Sequence, residues 1–127
     1  MNTILIDTSV IIDFLRQPQN DEAPLLKLVD TRKPLAISII THAELYSGKS
    51  TWENLNVQEN IEGLLQDLSI LPISESISKH AGKLRSEKNI GLFDALIAAT
   101  ALEENIPLAT LNIKHFAGIK GLTITNS

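Results

Sequence analysis

Ile4-Leu5-Ile6-Asp7-Thr8-Ser9-Val10-Ile11-Ile12-Asp13, met almost at the start of the chain, changes period in mid-stretch. The apolar run before Asp7 suits a short strand over 3–7 buried on both faces. Thr8 can cap a helix over 10–16, which Pro18 ends. A buried strand feeding directly into a helix is the opening unit of a parallel sheet. An acid stands at the join, where a carboxylate at the rim of a core needs a partner.

The pattern repeats outward from that stretch. Residues 22–31 have helical spacing through Leu25, Leu26, Leu28 and Val29, and Pro34 then opens a second apolar strand over 35–39. Thr41-His42-Ala43-Glu44 begins the next helix, which runs out near Gly48. Ser50-Thr51-Trp52-Glu53 offers a capping box before a helix through Val57, Ile61, Leu64, Leu65 and Leu68. A third strand over 70–73 carries Pro72, which places it at or near an edge. Residues 74–87 are helical with Ile77, Ala81 and Leu84 on one stripe, and Asn89-Ile90-Gly91 breaks that helix. The helix over 92–104 is the most buried of all, with only Asp94 and Thr100 polar as far as Leu102. Strands over 107–110 and 122–125 complete the series. Helices between short apolar strands predict an α/β fold of three layers, α/β/α, on a central five-stranded parallel sheet. The 127 residues allow one domain, 1–127.

Composition narrows the chemistry. Hydrophobic residues make up 43% and charged residues 20%, which fits a folded domain rather than a disordered segment. With no cysteine, disulfides, thiolate chemistry and sulfur-ligated zinc are excluded, and three scattered histidines offer no structural zinc site. No apolar run reaches membrane-spanning length and no signal-peptide pattern develops before Asp7, so the expected address is the cytoplasm, with no membrane partner. The net charge of −4 argues against a broadly basic nucleic-acid-binding face. A metal held among the acids would reverse the sign of the local field, so bulk charge does not decide the matter.

Three acids carry the functional reading: Asp7, Glu44 and Asp94, none of them beside a Lys or Arg in sequence. In a parallel sheet, ligands bind outside the C-terminal strand ends near the switch in strand order. Asp7 at the first strand's end, Glu44 one turn into the helix after the second, and Asp94 near the start of a later helix can all face one such crevice. A shared divalent cation held by oxygen ligands would need all three and could cut phosphodiesters. Each acid also has a plainer reading. Asp7 could accept backbone N–H bonds; Glu44 could close a capping box with Thr41; Asp94 gains from the helix dipole. The dipole does not explain why this site was chosen, since Asp94 shares its face with the small Ala98 and Ala101.

Other polar residues surround these. Thr8 and Ser9 can cap, and Ser9 can also hold a water or phosphate oxygen. Asp13 lies nearly two helical turns beyond Asp7 and points elsewhere, toward the surface or behind the first acid. Asn112 suits a neutral oxygen contact or an N-cap, and His115 a substrate contact or simple packing beside Phe116. Lys79, Lys83, Arg85 and Lys88 give one helix a basic side, open to solvent or to an RNA backbone. Tyr46 and Trp52 suit packing anchors or base-stacking platforms equally.

The ordered set Ile4–Asp13, then Ser38-Ile39-Ile40-Thr41-x-x-Glu44-Leu45-x-x-Gly48, Asp94-Ala95-Leu96-Ile97-Ala98-Ala99-Thr100-Ala101 and Ala109-Thr110-x-Asn112-x-x-His115-Phe116 resembles the PIN-domain ribonucleases. Within them it is similar to the VapC-type toxins of toxin–antitoxin pairs. The resemblance implies a PIN-like fold and an endoribonuclease whose Mg²⁺, or Mn²⁺ in its place, is held by Asp7, Glu44 and Asp94. It implies a homodimer and a small antitoxin whose C-terminal segment covers the acidic groove. The family's fourth acid falls in the segment that here holds Asn112 and His115, so one-metal and two-metal coordination both stay open. A PIN-fold module that binds RNA or regulates without cutting is the alternative. A phosphatase of the haloacid-dehalogenase kind expects Asp-x-Asp after the first strand, where this chain has Asp7-Thr8-Ser9. A receiver domain expects a paired Lys after a later strand, and none is evident.

Overall fold

The computed structural model describes residues 2–125. Its strands are β1 (Ile4–Ile6), β2 (Leu35–Ser38), β3 (Ser69–Leu71), β4 (Leu108–Ala109) and β5 (Ile124–Thr125). The helices are α1 (Thr8–Arg16), α2 (Pro24–Asp30), α3 (Ile39–Leu45), α4 (Lys49–Glu53), α5 (Leu55–Leu65), α6 (Glu75–Glu87), α7 (Leu92–Glu104) and α8 (Ile113–Phe116). The strands form one sheet in the order β3-β2-β1-β4-β5, and every pair is parallel. Helices cover both faces, giving the expected α/β/α layers.

Strand alternation assigns residues to the two cores. Leu5, Ala36 and Leu108 pack with Ile77, Ala81 and Leu84 of α6 and with Ala95, Ile97 and Ala98 of α7. Their strand neighbours Ile4, Ile6, Ile37 and Ala109 face the other way, against Val10 and Ile11 of α1, Leu25 and Leu28 of α2, and Ile61 of α5. Because β1, β4 and most of β2 are buried on both faces, their sequence shows continuous apolar runs rather than alternation, whereas the edge strands β3 and β5 are partly exposed. β3 lies at an edge, as Pro72 immediately after it requires.

Helix α7 is buried nearly all round, so its polar Thr100 must be satisfied internally; the hydroxyl donates to the Leu96 carbonyl at 2.8 Å. The helix stops at Asn105, whose φ of 56° and ψ of 47° are left-handed. Ile106 N–H then bonds the Ala101 carbonyl at 3.0 Å, closing a Schellman-type end that Asn tolerates better than most residues. Among the described residues no helix is long and apolar enough to cross a membrane.

Three expected caps are corrected. Thr8 does not cap α1; it is the first helical residue, and its hydroxyl is used elsewhere. The Thr41–Glu44 box does not form, because α3 starts earlier, at Ile39, with Ser38 Oγ accepting the Ile40 N–H at 3.0 Å. Residues 50–53 belong to the short α4, and Asn54 caps α5 through its Oδ1 and the Asn56 N–H, 2.9 Å. In each case the true cap stands at the strand or helix junction, where the backbone is extended.

Candidate functional site

The strand order reverses direction at β1. The chain runs out through β2 and β3, then returns to the other side of β1 with β4 and β5. The C-terminal ends of β1 and β4 therefore flank the switch, and Asp7 follows one while Thr110 follows the other.

Asp7 takes the N-cap position of α1, yet its side chain makes no capping bond. Its carboxylate is nearly buried, 3% exposed, and receives two hydroxyls on Oδ2: Ser9 Oγ at 2.7 Å and Thr110 Oγ1 at 2.8 Å. Both hydroxyls are aimed by the backbone of the loop after β4. Leu111 N–H donates to Ser9 Oγ at 3.0 Å, and Asn112 N–H donates to Thr110 Oγ1 at 2.9 Å. One carboxylate oxygen is thus fixed by a network that joins the β1 and β4 ends. Oδ1 takes part in none of these bonds. It is reached by solvent, since no fully buried side-chain oxygen among the described residues lacks a partner.

Glu44 is held by the first residue of α1. Thr8 Oγ1 lies 2.6 Å from Glu44 Oε1 and 2.9 Å from the buried Thr41 Oγ1. With one proton to give, Thr8 donates to the carboxylate, the stronger acceptor. Thr8 and Thr41, read from sequence as caps, are the residues that orient this acid.

Asp94 occupies the first turn of α7 after Gly91. Its Oδ2 is 3.1 Å from His115 Nδ1 of α8. Burial, and next the charge of Asp7, hold the Asp94 carboxyl above its usual value, while His115 offsets part of the rise. Glu44 and Asp94 line the same cleft, with Gly91 and the half-exposed Leu92 and Phe93 beside them.

The remaining expected residues separate. Ser9, Asp13 and Asn112 line a second cleft with Arg16 on the other flank of Asp7. Asn112 is the N-cap residue of α8 without a side-chain cap bond. Of the basic set on α6, Lys88 follows the end of the helix that adjoins the acids, whereas Lys79 sits at the far end, where Ser76 and His80 bond Glu103 near the end of α7. Trp52 Nε1 donates to the Tyr46 carbonyl at 2.7 Å, and the two rings lie 5.8 Å apart, so Tyr46 and Trp52 form a local stack. Thr110 was the residue that sequence reasoning passed over. Its signal is its place, the end of a buried strand, the same place as Asp7.

Among the described residues no group of three or more His, Cys, Asp or Glu is set as a ready-made metal cluster. The donor chemistry nonetheless fits a hard divalent cation. Asp7, Glu44 and Asp94 offer only oxygen, each commits one oxygen to a protein partner, and the other oxygen remains. A cation would offset both the burial and, next, the neighbouring Asp7 charge that hold the Asp94 carboxyl above its usual value.

The PIN domain family model matches residues 4–122. The chain is 42% identical over 120 residues to Ribonuclease VapC10 of Mycobacterium tuberculosis, covering 89% of this chain and 85% of that one. Its fold superposes on VapBC2 from Rickettsia felis, solved bound to a DNA fragment from the promoter, with a TM-score of 0.81, 28% identity and 98% of both chains covered. It superposes on a toxin–antitoxin complex from Klebsiella pneumoniae with a TM-score of 0.79, 30% identity and 98% of both chains covered.

Proposed function

This chain belongs to the PIN-domain family, and from that premise we propose that it is a cytoplasmic, divalent-metal-dependent endoribonuclease, the toxin of a toxin–antitoxin pair. The observation that carries this reading is the cleft that Glu44 and Asp94 share beside the strand-order switch, where Asp7 follows β1. Relatives that carry the name ribonuclease support the reaction class.

Asp7, Glu44 and Asp94 would hold Mg²⁺ or Mn²⁺. The bound ion supplies a Lewis acid that lowers the pKa of a water and offsets charge on a phosphate. The protein's part is orientation. Ser9 and Thr110 lock the Asp7 carboxylate in one rotamer, Thr8 does so for Glu44, and His115 holds Asp94. Water adds to phosphorus as the bond to the 3′-oxygen breaks, leaving 5′-phosphate and 3′-hydroxyl ends without a 2′-hydroxyl nucleophile. A homodimer and a small antitoxin complete the reading. The acidic Glu44–Asp94 cleft with its apolar Leu92–Phe93 rim suits a partner segment that presents a cation beside apolar side chains.

The test is cleavage of a pool of single-stranded and hairpin RNAs with Mg²⁺ by the wild type and by Asp7→Asn and Asp94→Asn, with folding checked by circular dichroism. Loss of an orienting partner typically costs 10- to 100-fold at a metal site, so loss of a ligand is expected to cost at least about 100-fold. A folded variant that keeps cutting at the wild-type rate sinks the assignment. Calorimetric titration with Mn²⁺ that shows no binding, together with no cleavage, would instead favour an RNA-binding or regulatory module.

A further inference from the structure

Two clefts flank Asp7 and Asp94, and a single segment, residues 111–115, lines both. Leu111 and Asn112 face the cleft that also holds Ser9 and Arg16; Lys114 and His115 face the cleft that also holds Gly91 and Asp94. Ser9 bonds Asp7 and lines the first cleft, while Asp94 forms part of the second. The shared segment makes the two clefts neighbours, and taken together they form a trough past Ser9 and Asp94. Each side carries an exposed base. Arg16 ends α1, and Lys114 lies in α8; among the described residues neither makes an ion pair. Asp13 lines the Arg16 cleft, yet no ion pair ties it to the guanidinium, so the guanidinium donors stay available. The third cleft at the acids, with Glu44, Asp94, Leu92 and Phe93, holds no base.

We propose that the substrate strand lies along this trough, with Arg16 and Lys114 each gripping a phosphate on opposite sides of the scissile one, and that the α6 face is not its main contact. This rests on the nuclease reading above. An unpaired guanidinium in one cleft and an unpaired ammonium in the other suit phosphates of a single strand, and half-exposed Leu111 and Ile113 of the shared segment offer apolar surface to bases.

The experiment follows fluorescence anisotropy of a labelled single-stranded oligoribonucleotide on the whole protein, with Ca²⁺ in place of Mg²⁺, across a salt series. Arg16→Ala and Lys114→Ala are each expected to weaken binding roughly 3- to 10-fold at low salt and to reduce the slope of log K against log salt by about 0.7. Arg16→Lys should keep the slope, and Lys33→Ala, at the opposite end of the strands in the cleft beside Leu35, should change nothing. Unchanged slopes for both Arg16→Ala and Lys114→Ala overturn the path, as does a loss confined to Lys79→Ala, which would move the strand to α6. Wild type that shows the expected slopes but never cuts with Mg²⁺ leaves the path standing and removes the nuclease reading. Wild type that cuts while both variants keep its KM and slope does the reverse.

Discussion

Asp7 and Asp94 illustrate how one like-charge pair is treated asymmetrically. Asp7 is nearly buried but receives two hydroxyls, whereas Asp94 is more open and has a single imidazole partner. Removing the Thr110 hydroxyl takes one donor from a buried carboxylate, so Thr110→Val is expected to cost about 1.5–3 kcal/mol of stability. It should weaken Mn²⁺ binding by roughly 10- to 100-fold, read by urea titration and calorimetry. Asp94 gives a pH signature in metal-free protein. Its folded pKa stands above the ordinary 3.8, so the folded state holds that proton more tightly than the unfolded chain does. The associated stability is complete below 3.8 and is lost as pH rises through the raised value. Asp94→Asn should flatten that part of the pH–stability curve and leave the metal-free protein slightly more stable at neutral pH. Solvent screening keeps the gain to about 1 kcal/mol or less. A curve unchanged by the substitution would show that Asp94 is not the group responsible.

Elements were legible where the period was strong. The helix expected over 92–104 matches α7 to the residue, and that over 74–87 matches α6 with Ser74 as its cap, because long apolar stripes leave little choice of register. Starts and stops were legible less often. Thr8, Thr41 and Ser50 all look like caps in isolation, but capping is decided by where the extended backbone ends, and β2 ends at Ser38, earlier than its apolar run. The Thr8 hydroxyl was then free for Glu44, with Thr41 beside it, which no local rule reveals. The α7 terminus supplies a test of element-level physics. Asn105 is left-handed, and a Cβ-bearing residue without Asn's local hydrogen bonding is strained there, so Asn105→Ala should lower stability by roughly 1 kcal/mol while Asn105→Gly should not. The midpoint of chemical unfolding for the two variants measures the difference.

At the scale of the whole molecule, the fold was readable because short apolar strands with helices between them permit few right-handed parallel arrangements. The three acids were readable because each interrupts or ends an apolar stretch. The hydroxyl network was not, since Thr110 and Ser9 are 101 residues apart and become neighbours only through the β1–β4 pairing. The trough bases were hidden for the same reason. That long-range assembly has a thermodynamic consequence. Folding brings Glu44 and Asp94 to one cleft beside the switch that Asp7 marks; in the unfolded chain the three acids are dispersed and bind a cation weakly. A divalent ion should therefore bind the native state selectively and stabilise it by about 2.7 kcal/mol at 100 times its Kd. Thermal scans with increasing Mn²⁺ should show Tm rising with the logarithm of concentration in the wild type. Asp7→Asn and Asp94→Asn should lose that rise without losing the cooperative transition, whereas Arg16→Ala should keep it, because Arg16 is assigned to the strand and not to the ion. A wild-type Tm that does not move with Mn²⁺, or an equal rise in all variants, would mean that the carboxylates do not converge on a common cation.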